Sequence, residues 1–299
     1  MRTTTLGSRR LALTGLAITA LFAIGAGPGQ AADPFVAGGR STRPMAAPAD
    51  HLARAETRAR ELTAALGISG TSHRATRLDD RFEHRIYDEV TSFDAGGRQV
   101  AISQFDLDGT VVMAVGLGWR PGSGRAVDSA GAGRSAGAVA GSVGLTVTGR
   151  PDIRASAGAG GWSVAWTRRV DGVSVRGDGV RVLLWPDGSF HGLTRSERPL
   201  APAPPRQIDA AQARATALSL AAERFGAAVA AAGIVAIERA WIAPNDAFGP
   251  AGPDAPGATL RLAWTVRFET HGPLAERVRQ IELWLDIGSG DLLGGDVVE

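Results

Sequence analysis

The sequence predicts an α+β fold made of tandem units, each a helix packed on a three- to four-stranded antiparallel sheet. Three observations predict it. Short runs alternate apolar and polar residues, as in Trp162, Val164, Trp166 and Val170, in Leu260, Leu262, Trp264, Val266 and Phe268, and in Ile281, Leu283, Leu285 and Ile287. Period two with one apolar face is the pattern of a strand covered on one side. Ala-rich stretches precede these runs. A shared ending also recurs, as Leu66-Gly67-Ile68, Val143-Gly144-Leu145 and Ala232-Gly233-Ile234, at a spacing of about 80–90 residues that marks an internal repeat.

Taken in order, Arg2, Arg9 and Arg10 precede an apolar run from Leu11 to Ala26 and a small-residue exit at Gly29-Gln30-Ala31. Residues 1–31 therefore read as a secretory signal peptide, with an uncleaved leader as the one route to a membrane. Ser8-Arg9-Arg10-Leu11 also fits a loose twin-arginine pattern. Residues 32–49, rich in Pro, Ala and Gly, read as a disordered linker. The first unit, 50–120, opens on a helix with Asp50 as N-cap and Leu52, Ala55, Ala59, Leu62 and Leu66 on one face. Strands follow over 82–92, 98–107 and 110–117. The second unit, 126–198, opens on a Gly-rich helix from about Asp128, weak by propensity and placed by the repeat. The third, 207–299, has Asp209 and Gln212 as a capping box and Leu218, Ala221, Ala222 and Phe225 as the helical face.

Composition narrows the function. The calculated isoelectric point of 10.1 follows from a chain whose 32 basic residues are all Arg. Removing the leader with Arg2, Arg9 and Arg10 leaves 29 Arg against 30 acidic residues, spread without a basic run. Nucleic acid is not an expected partner. The chain has no Cys, which excludes disulfide staples and thiol chemistry.

The stretch Val170–Leu193 holds three Asp-Gly pairs. Asp171-Gly172 and Asp187-Gly188 read as tight turns, where Asp bonds its own backbone and Gly takes positive φ. Gly177-Asp178-Gly179 reads as a bulge or kink between two strand halves. Gly290 reads as the turn of the last hairpin.

These residues carry a resemblance. Trp162 to Gly179, with its Val170-Asp171-Gly172-Val173-Ser-Val175 hairpin, resembles the PepSY-like propeptide modules found ahead of thermolysin and fungalysin proteases. Trp185-Pro-Asp187-Gly188-Ser-Phe190 supplies the second turn of that pattern. Leu262-Ala-Trp264-Thr-Val266 is similar to its inner strand, and Trp284-Leu-Asp286-Ile-Gly-Ser-Gly290-Asp-Leu-Leu293 to its closing hairpin. The resemblance covers Gly161–Glu299 well and 50–118 in outline. In protease precursors such modules assist folding of the peptidase and inhibit it. No His-Glu-x-x-His occurs in this chain, so the resemblance implies a stand-alone, exported, non-enzymatic protein that binds or inhibits an extracellular or envelope protease, or an extended peptide, in trans. The alternative is an envelope interaction or assembly factor with no protease partner.

The search for chemistry returns little. His51, His73, His84, His191 and His271 show no i, i+3 or i+4 pair, so no metal and no cofactor are expected. Gly133-Arg134-Ser135-Ala136-Gly137 matches a nucleophile elbow, which would make Ser135 a serine nucleophile, but no strand pattern precedes it. Asp79, Asp80, Asp106 and Asp108 read as solvated turn acids. Trp162, Trp166 and Trp264 fall in the apolar phase of their strands. Trp185 and Trp284 fall on the other phase. They line either a second buried face between units or an exposed groove that binds an extended peptide.

Overall fold

The computed structural model describes residues 42–80, 85–117, 124–156, 161–245, 247–248, 259–270, 275–276 and 278–298. Residues 1–31, most of the 32–49 linker, Trp119, His84 and His271 lie outside them. Four helices are described: α1 (Ala49–Ala65), α2 (Ser129–Ser142), α3 (Ala210–Phe225) and α4 (Ala227–Ala232). The strands are β1 (Thr42–Met45), β2 (Ser72–Asp80), β3 (Arg85–Phe93), β4 (Gln99–Phe105), β5 (Val111–Gly116), β6 (Asp152–Ala155), β7 (Trp162–Val170), β8 (Val173–Leu184), β9 (Phe190–Ser196), β10 (Ile234–Ile242), β11 (Arg261–Glu269), β12 (Gln280–Asp286) and β13 (Leu292–Val298).

The fold is mixed α+β, with few helices and a large, mainly antiparallel sheet. The sheets of the predicted units are not separate. All the strands join one 13-stranded sheet in the order β1-β2-β3-β4-β5-β9-β8-β10-β11-β12-β13, with β7 also on β8 and β6 on β7. Two seams make it continuous. Met113–Val115 of β5 pair antiparallel with Gly192–Thr194 of β9. Ser174 and Val175 of β8 pair parallel with Ala240 and Trp241 of β10.

The first two predicted units share one core. Ala55, Ala59 and Leu62 of α1 and Ala132 and Ala136 of α2 bury against Val90, Ala114, Leu193, Val182 and Val164. Small residues on both helices let them lie close to the sheet. A side chain at Gly133 would press on Ile153 at 3.0 Å and one at Gly131 on Val127 at 3.0 Å, so these two glycines of α2 answer to packing. Under α3, a second core holds Ala213, Ala217 and Ala221 against Val266, Phe268, Ile281, Leu283 and Leu285. Each large side chain fully buried there contributes about 1.5–3 kcal/mol.

The helix ends show local chemistry at work. Ile68 N–H donates to Thr63 O and Gly67 N–H to Ala64 O, and Leu145 and Gly144 repeat this with Ala140 and Gly141. Both are Schellman endings, with Gly67 at φ 67° and Gly144 at φ 77°. The third ending differs. The long helix stops at Phe225, Gly226 turns at φ 91°, and the short α4 runs on to Ala232 before Gly233. Asp209 and Gln212 form the expected capping box, and Asp128 caps α2. Asp50 does not cap α1: the cap is Pro48, and Asp50 pairs with Arg54 one turn in. The linker also ends sooner than expected, because Thr42–Met45 already pair with Arg77–Asp80.

Candidate functional site

The turns fall where sequence chemistry puts them. Asp171 (φ 50°) and Gly172 (φ 77°) close the β7–β8 hairpin as a two-residue turn with both φ positive. Asp187 accepts from Ser189 N–H, and Gly188 (φ 82°) donates to Trp185 O. The same bonds recur at Asp108, Thr110, Gly109 and Asp106. Gly290 (φ 80°) donates to Asp286 O in the β12–β13 turn.

The kink at Gly177-Asp178-Gly179 is more than a bulge. Gly179 sits at φ 133°, and a Cβ there would overlap the Trp166 carbonyl oxygen. The kink divides β8. Its second half pairs with β9 and its first half with β10. It also turns Asp178 inward, where its side chain has no exposed surface. Four donors meet this carboxylate: Arg198 Nε at 2.7 Å, Arg198 N–H at 2.7 Å, Ser196 Oγ at 3.0 Å and Arg168 at 3.3 Å.

Arg198 also donates to the carbonyl of Arg176 at 2.7 Å, and Arg176 leads to a second charged centre. Strand alternation places Ile281, Leu283 and Leu285 beneath α3, so Glu282 and Trp284 face the other side of the sheet. Glu282 is buried there. It accepts two bonds from Arg176, one from Arg267 Nη2 at 3.1 Å and one from the Trp284 indole at 2.6 Å. Glu238 lies 3.6 Å from Arg176. Burial by itself would raise the Glu282 carboxyl. The bonds and charge of Arg176, with Trp284 and Arg267, outweigh it and hold the carboxyl below its ordinary value. Its neighbour Asp296 is pushed up, first by burial and then by the charge of Glu282.

The two centres belong to one chain of charges across the sheet. Arg85 meets Asp106 at 2.6 Å, Asp106 faces Arg195, Arg195 pairs with Glu197, and Glu197 lies 3.9 Å from Arg168. From Arg168 the path continues through Asp178, Arg198 and Arg176 to Glu282. Every cation in it is Arg, whose planar fork holds several acceptors at once. Glu282 is saturated with donors and held ionised, so it is a poor proton acceptor. The arrangement clamps the β8–β10 seam, where the ladder has only two paired positions.

Trp185 and Trp284 are not the walls of an exposed groove. Each is 8% exposed. Trp185 stacks on His191 with centroids 4.0 Å apart, and burial lowers the His191 pKa. Trp284 is fixed on Glu282. Of the remaining tryptophans, Trp166 is buried, Trp162 and Trp264 pack partly buried against the two cores, and Trp241 is buried at the seam with Val175, Leu260 and Ile287. Ser135 lies in the interior of α2, with its hydroxyl beside Gly188 rather than on a strand-to-helix elbow; the match to the nucleophile pattern is a chance product of Gly-rich sequence. Asp106 is an ion-pair partner, not a solvated turn acid. Asp80 is buried.

Sequence reasoning passed over Arg168, Asp178, Arg176, Arg267 and Glu282. Two signals were there. Arg168 stands in the apolar phase of β7, and Trp284 stands in the polar phase of β12 beside Glu282. A charge on a buried phase needs a buried partner.

Among the described residues no group of three or more His, Asp or Glu is placed to hold a metal ion, and no helix is long and apolar enough to cross a membrane. These features define an α+β sheet protein whose most buried charges serve architecture. No family model matches the chain, and no curated protein matches it. Among solved structures it is similar to the Bacillus megaterium YpeB C-terminal domain, with a TM-score of 0.45, 12% identity, and coverage of 81% of this chain and 96% of that one. A likeness that distant carries no functional argument.

Proposed function

We propose that this chain is an exported, non-enzymatic, PepSY-like binding module that engages a secreted or envelope protease, or an extended segment of one, as a separate polypeptide. One observation carries the reading. The residues that resemble propeptide modules, Val170-Asp171-Gly172-Val173 and Trp284 to Leu293, form the hairpins β7–β8 and β12–β13 that such a pattern requires. The turn at Asp171-Gly172 and the turn holding Gly290 fall inside these hairpins, which supports the reading. Trp185 and Trp284 are part of the packing in this reading and do not contact the partner.

The test is a pull-down from host culture supernatant and envelope extract, with residues 32–299 as bait, followed by mass spectrometry and an inhibition assay. A captured metalloprotease that the chain slows is the expected result. Capture of envelope proteins with no protease among them overturns the protease reading in favour of an assembly factor.

A further inference from the structure

The two ends of the main strand order are finished differently. At the β13 end, the chain closes its own edge. Asn245 N–H donates to Leu293 O, the Asn245 amide both donates to Gly295 O and accepts from Gly295 N–H, and Asp296 takes Val297 N–H. Leu293 O, both main-chain groups of Gly295 and Val297 N–H are thus occupied, as expected of an edge guarded against added strands.

The β2 end is guarded weakly. β2 pairs with β3 along all nine of its residues, yet β1 covers its outer edge only at Arg77–Asp80. β1 is four residues long, three of them exposed, with Met45 42% exposed. Ordering such a segment costs conformational entropy that its burial hardly returns. Beyond β1, over Ser72–Thr76, the described cap is a side chain: Glu56 of α1 accepts from Ala75 N–H at 3.1 Å.

We propose that the outer edge of β2 is a docking edge for an extended peptide, and that β1 is the chain's own placeholder on it. The incoming segment runs antiparallel to β2, as β1 does, and replaces it by strand addition. β1 shows what the edge accepts. Arg43 stands opposite Asp79, and Pro44 opposite Leu78, next to buried Tyr87. The partner segment therefore carries a basic residue followed by a small apolar one, and by continuing past position 45 to lie opposite Ala75 it makes bonds that the placeholder does not. This assignment rests on the binding-module reading and names its contact surface.

The chain has no Cys, so Pro44→Cys with Leu78→Cys, a facing pair, gives a single disulfide that locks β1 in place and leaves Asp79 to meet the probe's Arg43. The probe is a fluorescent synthetic peptide of residues 41–47 carrying Pro44→Val, titrated against the otherwise full chain by anisotropy. The reduced protein is expected to bind it at least tenfold more tightly than the oxidised lock. Equal affinity in the two states, or no binding in either, overturns the proposal. If β1 instead exchanges between copies, the reduced chain forms a dimer on sizing columns that excludes the peptide, which also overturns it. Should the double-cysteine chain not fold, Glu56→Ala carries the test: freeing Ala75 N–H raises peptide affinity several-fold, and unchanged affinity refutes the edge. The two readings fail separately. A protease captured equally by locked and unlocked chains leaves the module standing without this edge, and peptide exchange without protease capture leaves the edge standing without that partner.

Discussion

The Glu282 centre makes a quantitative prediction. Removing one side of a buried ion pair costs about 3–5 kcal/mol, because the remaining partner loses its compensation. Glu282 is buried, but Arg176 and Arg267 keep 30% and 36% of their side-chain surface. Water therefore recovers part of what the two cations lose. Glu282→Gln also keeps the shape and some of the hydrogen bonds, which places it at the low end, about 3 kcal/mol. Arg176→Ala leaves a buried carboxylate with Arg267 and Trp284 only, and costs about as much. The double variant is expected to show a coupling of about 2 kcal/mol between the two residues.

The assay is urea unfolding followed by tryptophan emission at pH 7 and at pH 3. The folded carboxyl lies below its ordinary value of 4.5. Its contribution is therefore present above that value and is lost as pH falls through the folded pKa. The gap between wild type and Glu282→Gln should narrow at pH 3. Asp296 titrates in the opposite sense, since its folded pKa is raised, and loss of the Glu282 charge lets it fall back. A gap under about 0.5 kcal/mol at pH 7 would place Glu282 with ordinary surface residues and refute the clamp. A gap of equal size at both pH values would refute its electrostatic origin.

Three further outcomes are expected. Gly179→Ala sets a Cβ against the Trp166 carbonyl and a backbone that cannot yield cheaply, so it should cost well over 2 kcal/mol in urea unfolding, whereas Gly172→Ala, in open space, should cost about 1–2 kcal/mol for its positive φ alone. Asn245→Ala opens the β13 edge: amide exchange at Gly295 should accelerate at least tenfold by mass-resolved hydrogen exchange, and an unchanged rate would show that Asn245 guards nothing. Burial lowers the His191 pKa below 6.5, so its contribution is present above that pH and is lost as pH falls through the folded value; between pH 7.5 and pH 5 wild type should lose more stability than His191→Phe, which keeps the stack on Trp185, while His73, also lowered by burial, contributes equally to both.

Local chemistry was legible in the sequence wherever a short stretch decides its own conformation. The Asp-Gly turns, the capping box at Asp209 and the Gly67 and Gly144 helix ends depend on bonds between residues a few positions apart. Period-two runs gave β7, β11 and β12 because one buried face leaves an alternating trace. β2 left none: Ser72–Asp80 is polar on both faces, and it is a strand because β3 offers it nine partners. Asp50 failed as a cap because Pro48 started the helix two residues earlier.

What the tertiary structure alone decided is how the pieces join. One continuous sheet instead of separate ones follows from the β5–β9 and β8–β10 seams, and a seam is a long-range pairing with no period of its own. The Glu282 centre brings together residues 106 positions apart, and the fate of Trp284 hung on that bond, since an indole on the polar phase of a strand is equally at home in a groove or over a buried carboxylate. Sequence fixes the phase on which a side chain leaves its strand. Whether that phase meets water, a partner or another part of the same chain depends on contacts that only the folded sheet brings within reach.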